Sequence, residues 1–322
     1  MKILKGDVIE DVVQSSIALL NGNLVAFPTE TVYGLGSDAC NPVALKRIFQ
    51  VKNRPANHPL IVHLSSKYQM KYWCKSIPDY GVKLADEFWP GPMTLILPKS
   101  DLANDLITGN QSTVALRVPS DRIANLLLCE FESLGGLGVA APSANLFGQV
   151  SATNSSIVNN AIGRRLIVGD VILDGGKTTI GIESTIIDCT GAIPRILRPG
   201  FITQKMVEKL LGINLSNNEN LDVPKYSGQF KSHYSPKAKV KVGGPYEYGA
   251  GFIAIDSFST PKSLIRLCTP RDNKSYASQL YESFAKADEL KLGTVHVILA
   301  QGDDIAVAIN DRILKASYSL NS

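Results

Sequence analysis

The chain lacks any apolar run near the ~20 residues that a membrane-spanning helix needs. Its opening residues, Met1-Lys2-Ile3-Leu4-Lys5-Gly6-Asp7, turn polar too soon for a secretory signal. A cytoplasmic protein with no membrane partner is the expectation. Cysteine is sparse. Cys40, Cys74, Cys129, Cys189 and Cys268 form no CxxC or CxxH spacing, which argues against a zinc centre. Their odd number and wide separation fit reduced thiols, expected to be buried and inert. There is no GxxxxGK[ST], so a P-loop is excluded as a phosphate cradle. There is no GxSxG elbow, which removes the main argument for Ser143 as a hydrolase nucleophile. Charge of one sign is also scarce. The 33 Lys and Arg against 29 Asp and Glu leave +4, too little to argue by itself for a nucleic-acid partner.

What is present is an ordinary globular balance, 44% hydrophobic and 19% charged over 322 residues, enough for two cores. Ile9, Val12, Val13, Ile17 and Leu20 recur at helical spacing and predict one buried face. A strand is expected over 24–27, running into a Pro-Thr-Glu-Thr turn. A helix runs from Asn41-Pro42 to about Lys52, where Arg54-Pro55 stops it. Further strands are expected at 60–64, 93–97, 113–118, 138–141, 171–173 and 184–188. Helices are expected on either side of Pro78, at 121–131 and at 203–211. After Leu211 the composition shifts. Asn214 to Asn220 is rich in Asn and Ser, and the stretch to about Lys239 holds Pro224, Gly228, Pro236 and several lysines. This reads as a linker of roughly 25 residues, long enough to be a boundary or a functional loop. Beyond it the pattern is strand, strand, helix, strand, helix. Strands fall near 252–255 and 295–299, with helical faces Ala277, Leu280, Tyr281, Phe284 and Ile305, Ile309, Arg312, Ile313. That is a small open α/β domain. The expected division is 1–211, a linker or lid over 212–238, and 239–322.

Five stretches could carry chemistry. Phe27 to Gly36 offers hydroxyls, a carboxylate and glycines at a strand end, which lets a ligand approach closely; an ordinary capped turn has the same composition. Lys52, Arg54, His58 and His63 place two cations and two histidines within a dozen positions, which suits a triphosphate. Cations at a helix C-terminus are favourable in any case, and His63 taken alone reads as a core histidine. Thr113, Ala115 and Arg117 share one strand face, and an Arg there needs a carboxylate or phosphate partner, from a ligand or from an internal Asp or Glu. Ser143 and Asn145 follow a glycine-rich approach. Glu183-Ser184-Thr185 and Arg198-Pro199-Gly200 add hydroxyls and another Arg. Together these residues suit an anionic nucleotide better than paired-carboxylate chemistry.

The same residues resemble a known family. The first ~205 residues resemble the YrdC-like domain, and the chain as a whole resembles the two-domain threonylcarbamoyl-AMP synthases. The likeness rests on Pro28-Thr29-Glu30-Thr31-Val32-Tyr33-Gly34-Leu35, Lys52-x-Arg54, Ser143-x-Asn145, Glu183-Ser184-Thr185, Arg198-Pro199-Gly200, His233-Tyr234-Ser235-Pro236 and Asn310-Asp311-Arg312, in that order. It implies an α/β fold: a YrdC-like twisted mixed sheet with flanking helices, and a smaller Rossmann-like α/β C-terminal domain. The implied reaction joins L-threonine, bicarbonate and ATP into threonylcarbamoyl-AMP and pyrophosphate, with Mg²⁺ bridged by phosphate and no dedicated protein cage. A transfer complex then carries the threonylcarbamoyl group to the adenosine beside the anticodon of tRNA. The implied catalytic set is Lys52, Arg54, Ser143 and Asn145. The implied threonine set is Thr31, His63, Arg117, the Ala141 backbone and Ser184. The implied ATP set is Arg54, His58, Thr113, Ser143, Ser151, Arg198 and the linker Tyr234, so the linker is expected to act as a lid. Before His-Tyr the chain reads Ser227-Gly228-Gln229-Phe230-Lys231-Ser232 where the family commonly has Pro-Gly and a basic residue. Two other readings remain. The carbamoyl-phosphate-using module of hydrogenase maturation proteins would bring an acylphosphatase domain and zinc-finger cysteines, and this chain has neither. A non-enzymatic RNA-binding protein, or a weak tRNA contact, would call for an RRM signature or interleaved basic and aromatic residues, and neither is evident in the sequence.

Overall fold

The computed structural model describes residues 1–215 and 223–318; most of the Asn- and Ser-rich segment falls outside them. The elements up to residue 211 are β1 (Lys2–Lys5), α1 (Ile9–Leu20), β2 (Val25–Phe27), β3 (Gly34–Asp38), α2 (Pro42–Lys52), β4 (Ile61–His63), α3 (Met70–Trp73), α4 (Asp79–Phe88) and β5 (Met93–Pro98). They continue with α5 (Asp105–Thr108), β6 (Thr113–Arg117), α6 (Arg122–Ser133), β7 (Val139–Ala140), α7 (Ser155–Ile162), β8 (Val171–Asp174), β9 (Thr185–Asp188), β10 (Arg195–Arg198) and α8 (Gln204–Leu211). Among the described residues the strands form one mixed sheet ordered β1-β8-β2-β3-β7-β4-β6-β5-β9-β10. A second set, β11 (Lys239–Val242), β12 (Gly251–Ile253), β13 (Ile265–Arg266) and β14 (Thr294–Val297), forms an all-parallel sheet ordered β11-β14-β12-β13. It carries the helices α9 (Asn273–Glu289) and α10 (Ala306–Ser317).

Local chemistry explains the boundaries. Asn41 caps α2 by accepting from the Val43 and Ala44 amides, with Pro42 in the first turn, and Asn53 ends it in a left-handed conformation at φ 51°. Asp121 and Thr203 cap α6 and α8 in the same way. Asp272 and Ser275 form a capping box at the start of α9.

Several sequence expectations need correction. In α1 the buried side is Val12, Ser15, Ser16, Ala18 and Leu19, while Ile9 and Ile17 are exposed. The two serines can be buried because their hydroxyls donate back to the carbonyls of Asp11 and Val12. The glycine run after Tyr33 is not a turn but the strand β3, antiparallel to β2. At Gly36 a Cβ would lie 2.7 Å from Val139 Cγ1 and 2.8 Å from the Phe27 ring, so glycine is what lets the strands pack. Elements with weak patterns (β1, α5, α7, β10, β13) were not expected. The thiols also differ from expectation: Cys74 and Cys189 are buried, Cys268 is intermediate, and Cys40 and Cys129 are exposed. Partial burial, then Asp38, pushes the Cys40 thiol up to about 11, so exposure does not make it a ready thiolate. Among the described residues no helix is long and apolar enough to cross a membrane.

Candidate active site

Sheet register assembles the site from residues far apart in sequence. β4 and β6 run parallel with His63 opposite Arg117. Just past the end of β7, the Ala141 amide donates to the Ile61 carbonyl. β10 runs antiparallel to β9, and a register shift between Ile196 and Arg198 re-aims Arg198. Its Nε and Nη2 donate to the carbonyl and hydroxyl of Ser184, at 3.0 and 3.1 Å. His63, Arg117, Ala141, Ser184 and Arg198 line one cavity with Thr29, Thr31, Arg54, Ser143, Glu183, Ser227, Gly228, His233 and Tyr234.

The cavity mixes polar and apolar lining and is rich in cations. Arg54, Arg117 and Arg198 line it and are at most 8% exposed. The carboxylate in its wall, Glu183, is engaged: Arg312 Nε donates to it at 2.9 Å and the Ser151 hydroxyl at 2.6 Å. Burial opposes the charge of Glu183, but Arg312 and Arg198 outweigh it and hold the carboxyl down at about 2. Arg117 Nη2 lies 2.8 Å from Glu30 Oε1, with both side chains buried. The contact is close but off hydrogen-bond geometry, so Arg117 Nε and Nη2 and both Glu30 oxygens remain without a hydrogen-bond partner. The same holds for Arg54 Nε, His63 Nδ1 and the Tyr234 hydroxyl. Buried donors in that condition are costly unless a ligand or water meets them. Burial, then the Arg117 charge, pushes the His63 imidazole down to about 3, so it is neutral near pH 7.

All five residues of the threonine set, Thr31, His63, Arg117, Ala141 and Ser184, line this cavity. The other sets divide. Arg54, Ser143, Arg198 and Tyr234 line it. Lys52 does not: it is 1% exposed, and its Nζ donates to the carbonyls of Ser143 and Asn145 at 2.5 Å each. Burial, then Arg54, drives its pKa well down. It holds the 143–145 turn in place rather than facing the cavity. Asn145 also lies behind the wall, its amide donating to the Leu146 and Gln149 carbonyls. Ser151 contacts Glu183. His58 stacks on Phe230 at 4.7 Å. Thr113 is at the opposite end of β6 from Arg117, opposite Pro98, and lines a separate groove with Lys75, Lys99 and Lys225. Sequence reasoning missed the roles of Thr29, Glu183, Ser227, His233 and Arg312. It also missed a short basic and aromatic run, in which Lys67 and Lys71 sit over the rings of Tyr68 and Tyr72; it is not part of the cavity lining.

Four residues of the 227–234 stretch, Ser227, Gly228, His233 and Tyr234, line the cavity. Arg54 Nη2 donates to the Ser227 hydroxyl at 3.1 Å and Arg198 Nη1 to the Ser227 carbonyl at 2.9 Å. Tyr234 is 1% exposed, with its backbone left-handed at φ 62°. The cavity that remains has a volume of about 50 Å³, whereas drug-sized ligands occupy pockets of roughly 300–1,000 Å³.

A family model described as telomere recombination (Sua5, YciO, YrdC) matches residues 17–200, and one described as the C-terminal domain of threonylcarbamoyl-AMP synthase matches 202–317. The chain is 44% identical over 225 residues to a threonylcarbamoyl-AMP synthase of Pyrococcus abyssi, covering 69% of this chain and 64% of that protein, a little under two thirds of its length. It is 34% identical over 327 residues to the Bacillus subtilis threonylcarbamoyl-AMP synthase, covering 95% of this chain and 92% of that one. The crystal structure of P. abyssi Sua5 complexed with L-threonine superposes with a TM-score of 0.86 at 33% identity, over 98% of this chain and 97% of that chain. With both domains matched and the cavity lined by residues of every motif but Asn310-Asp311-Arg312, the chain belongs to the threonylcarbamoyl-AMP synthase family.

Proposed function

We propose that this chain condenses L-threonine, bicarbonate and ATP into threonylcarbamoyl-AMP and pyrophosphate, the activated intermediate for threonylcarbamoyladenosine formation in tRNA next to the anticodon. The observation that carries this most directly is the convergence of Arg54, Arg117 and Arg198 on one closed cavity in which Arg54 and Arg117 keep unmet donors. Two anions have to meet for the chemistry to occur. The threonine nitrogen attacks the bicarbonate carbon and water leaves, giving a carbamate. A carbamate oxygen then attacks the α-phosphorus, and the bond to the β-phosphate oxygen breaks to release pyrophosphate. Fixed cations lower the repulsion in that step, and a closed site protects the carbamate from water.

In this reading Arg117 meets the threonine carboxylate, and Thr31, Ser184 and the Ala141 backbone hold the rest of the amino acid. His63 is too weak a base at about 3 to take a proton near neutral pH; its neutral ring orients threonine. Arg54, Arg198 and Ser143 face the phosphates, Tyr234 lies over the nucleotide, and His58, Thr113 and Ser151 border or support it. Lys52 and Asn145 act through the 143–145 turn. Magnesium enters with the nucleotide as part of the substrate: Glu30 and Glu183 are each beside an arginine, which makes them poor metal ligands, so the phosphates hold the ion. The linker is a lid, because a cavity of this size admits ATP only if Ser227, Gly228 and Tyr234 move. Residues 1–211 form the catalytic unit, 212–238 the lid and 239–322 its support. A cytoplasmic location, delivery of the product to a transfer complex and a weak tRNA contact complete the proposal. Pyrophosphate release from ATP, measured with threonine and bicarbonate each omitted in turn, tests the reaction; release that needs neither removes it.

A further inference from the structure

Helices α9 and α10 of the C-terminal unit reach the wall of the cavity. Arg312 on α10, fully buried, donates from Nε to Glu183 Oε2 at 2.9 Å. Tyr281 on α9, also fully buried, donates to the same carboxylate at 2.9 and 3.2 Å. Glu183 directly precedes Ser184, which Arg198 grips by its hydroxyl and carbonyl. The same two residues back Tyr234. The Arg312 guanidinium carbon lies 5.2 Å from the Tyr234 ring centroid, and the Tyr281 ring stacks on it at 5.8 Å and 27°. Lys315 holds the front of the lid: its Nζ donates to the Gly228 carbonyl at 2.8 Å, and its own carbonyl accepts from the His233 amide at 3.2 Å.

Tyr234 has a left-handed backbone at φ 62°, uncommon for a bulky residue. Such a conformation persists only where its surroundings impose it. Here both domains supply them: on one side the His233 amide donates to the Lys315 carbonyl and the ring rests against Arg312 and Tyr281, and on the other the Ser235 amide donates to the Gly148 carbonyl. Gly228, at φ 86°, clears the remaining space, since a Cβ there would lie 2.2 Å from the Tyr234 hydroxyl oxygen.

We infer that Arg312 and Tyr281 are positioning residues for the nucleotide site: through Glu183 and the Tyr234 ring they set the lid and the Ser184–Arg198 wall as one unit. The inference rests on the adenylate-forming reading only for which nucleotide the lid covers. It gives the C-terminal unit a part in the reaction, namely to supply the rigid back of the lid. A buried pair that merely joined two domains would cost stability whether or not residue 234 carried a ring. A pair that positions Tyr234 would lose its influence on the ligand once that ring is gone.

A double-mutant cycle on the full chain separates these roles. Binding of the α,β-methylene analogue of ATP, in which the bond that the reaction breaks is blocked, is measured by calorimetry for Tyr281→Phe and Arg312→Lys, each alone and combined with Tyr234→Ala, with thermal melts to confirm folding. Tyr281→Phe keeps every charge, so it carries the test if Arg312→Lys does not fold. The expected result is an affinity loss of about five- to twentyfold with Tyr234 present, shrinking to under about twofold in the Tyr234→Ala background. Equal losses in both backgrounds, or no loss in folded variants, overturn the inference. Wild-type chain that binds the analogue yet releases no pyrophosphate with threonine and bicarbonate would sink the reaction and leave the positioning role standing. Wild-type chain that binds no analogue would sink both.

Discussion

Threonine recognition by Arg117 can be separated from its structural role, because the structure shows what else that arginine touches. Arg117 is 4% exposed and lies beside Glu30, itself 7% exposed. Arg117→Ala should raise the KM for threonine. It also strands a buried carboxylate, which costs roughly 3–5 kcal/mol out of a total stability of about 5–15 kcal/mol, so a loss of activity could be a loss of fold. The cleaner perturbation removes the pair together: Arg117→Met with Glu30→Gln. Exchanging both members of a buried pair for neutral groups of similar volume is close to neutral for stability. What disappears is a charge-assisted hydrogen bond to the substrate carboxylate, worth roughly 1.5–3 kcal/mol. At about 1.4 kcal/mol per factor of ten, the threonine KM should rise roughly 10- to 150-fold while the KM for ATP stays within about twofold. The assay is pyrophosphate release with threonine titrated at saturating ATP and bicarbonate, with melting curves alongside. A folded double variant whose threonine KM lies within twofold of wild type refutes the assignment. So does one whose ATP KM rises in parallel.

Two further outcomes follow from groups that do not face the cavity. Lys52→Met should lower both the melting temperature and kcat, because two buried carbonyls lose their donor at roughly 1–3 kcal/mol each; a large fall in kcat with an unchanged melting temperature would instead mean that Lys52 contacts the phosphates directly. The second concerns acid. Burial, with Arg117 next for His63 and arginine and lysine charges opposing Glu183 for His233, pushes both imidazoles down to about 3, below the ~6.5 of an unfolded histidine. The unfolded chain therefore binds more protons, and stability is complete above about pH 6.5 and lost progressively as pH falls toward 3. At pH 5.5 each contributes a loss of about 1.4 kcal/mol, near 3 kcal/mol together. Melting curves from pH 7.5 to 5.5 should show it, and because burial also pushes the more exposed His58 down, to about 4, and lowers His296, His63→Gln should remove less than half of the slope; a flat profile contradicts the burial of neutral imidazoles.

How much of this was legible in the sequence depends on the range of the interaction. Helices with a cap and an apolar period were readable, as with Asn41-Pro42 opening α2 and Asp121 opening α6. Short strands with an apolar run, such as β2, β4 and β8, were readable as well, but β3 was not, because its pairing is set by neighbours: it is Gly34–Asp38 and reads as a turn until β2 and β7 lie against it. The five residues of the expected threonine set lie together in one cavity, since each sits in or beside a short strand or turn. The nucleotide set scattered. Lys52 and Arg54 are two residues apart and both cationic, yet the helix end turns one into the 143–145 turn and the other toward the cavity. Charge and spacing are the same for both outcomes, and only the packing of the 143–149 segment separates them.

One signal in the sequence was available and points to the coupling between the units. Arg312 shares a helical face with Ile305, Ile309 and Ile313, and a guanidinium in an apolar stripe is costly to bury unless a carboxylate meets it. No acid on α10 can fill that need alone. Asp311 binds Nη1 from the adjacent position, at 2.6 Å, and leaves Nε to be met from elsewhere. The partner had to come from another segment, and the motif Glu183-Ser184-Thr185 held an acid for which the site reading had no use. Placing the two together would have located the domain contact before any coordinates. It would also have placed that contact one residue from Ser184, where a displacement in the second domain changes the site directly.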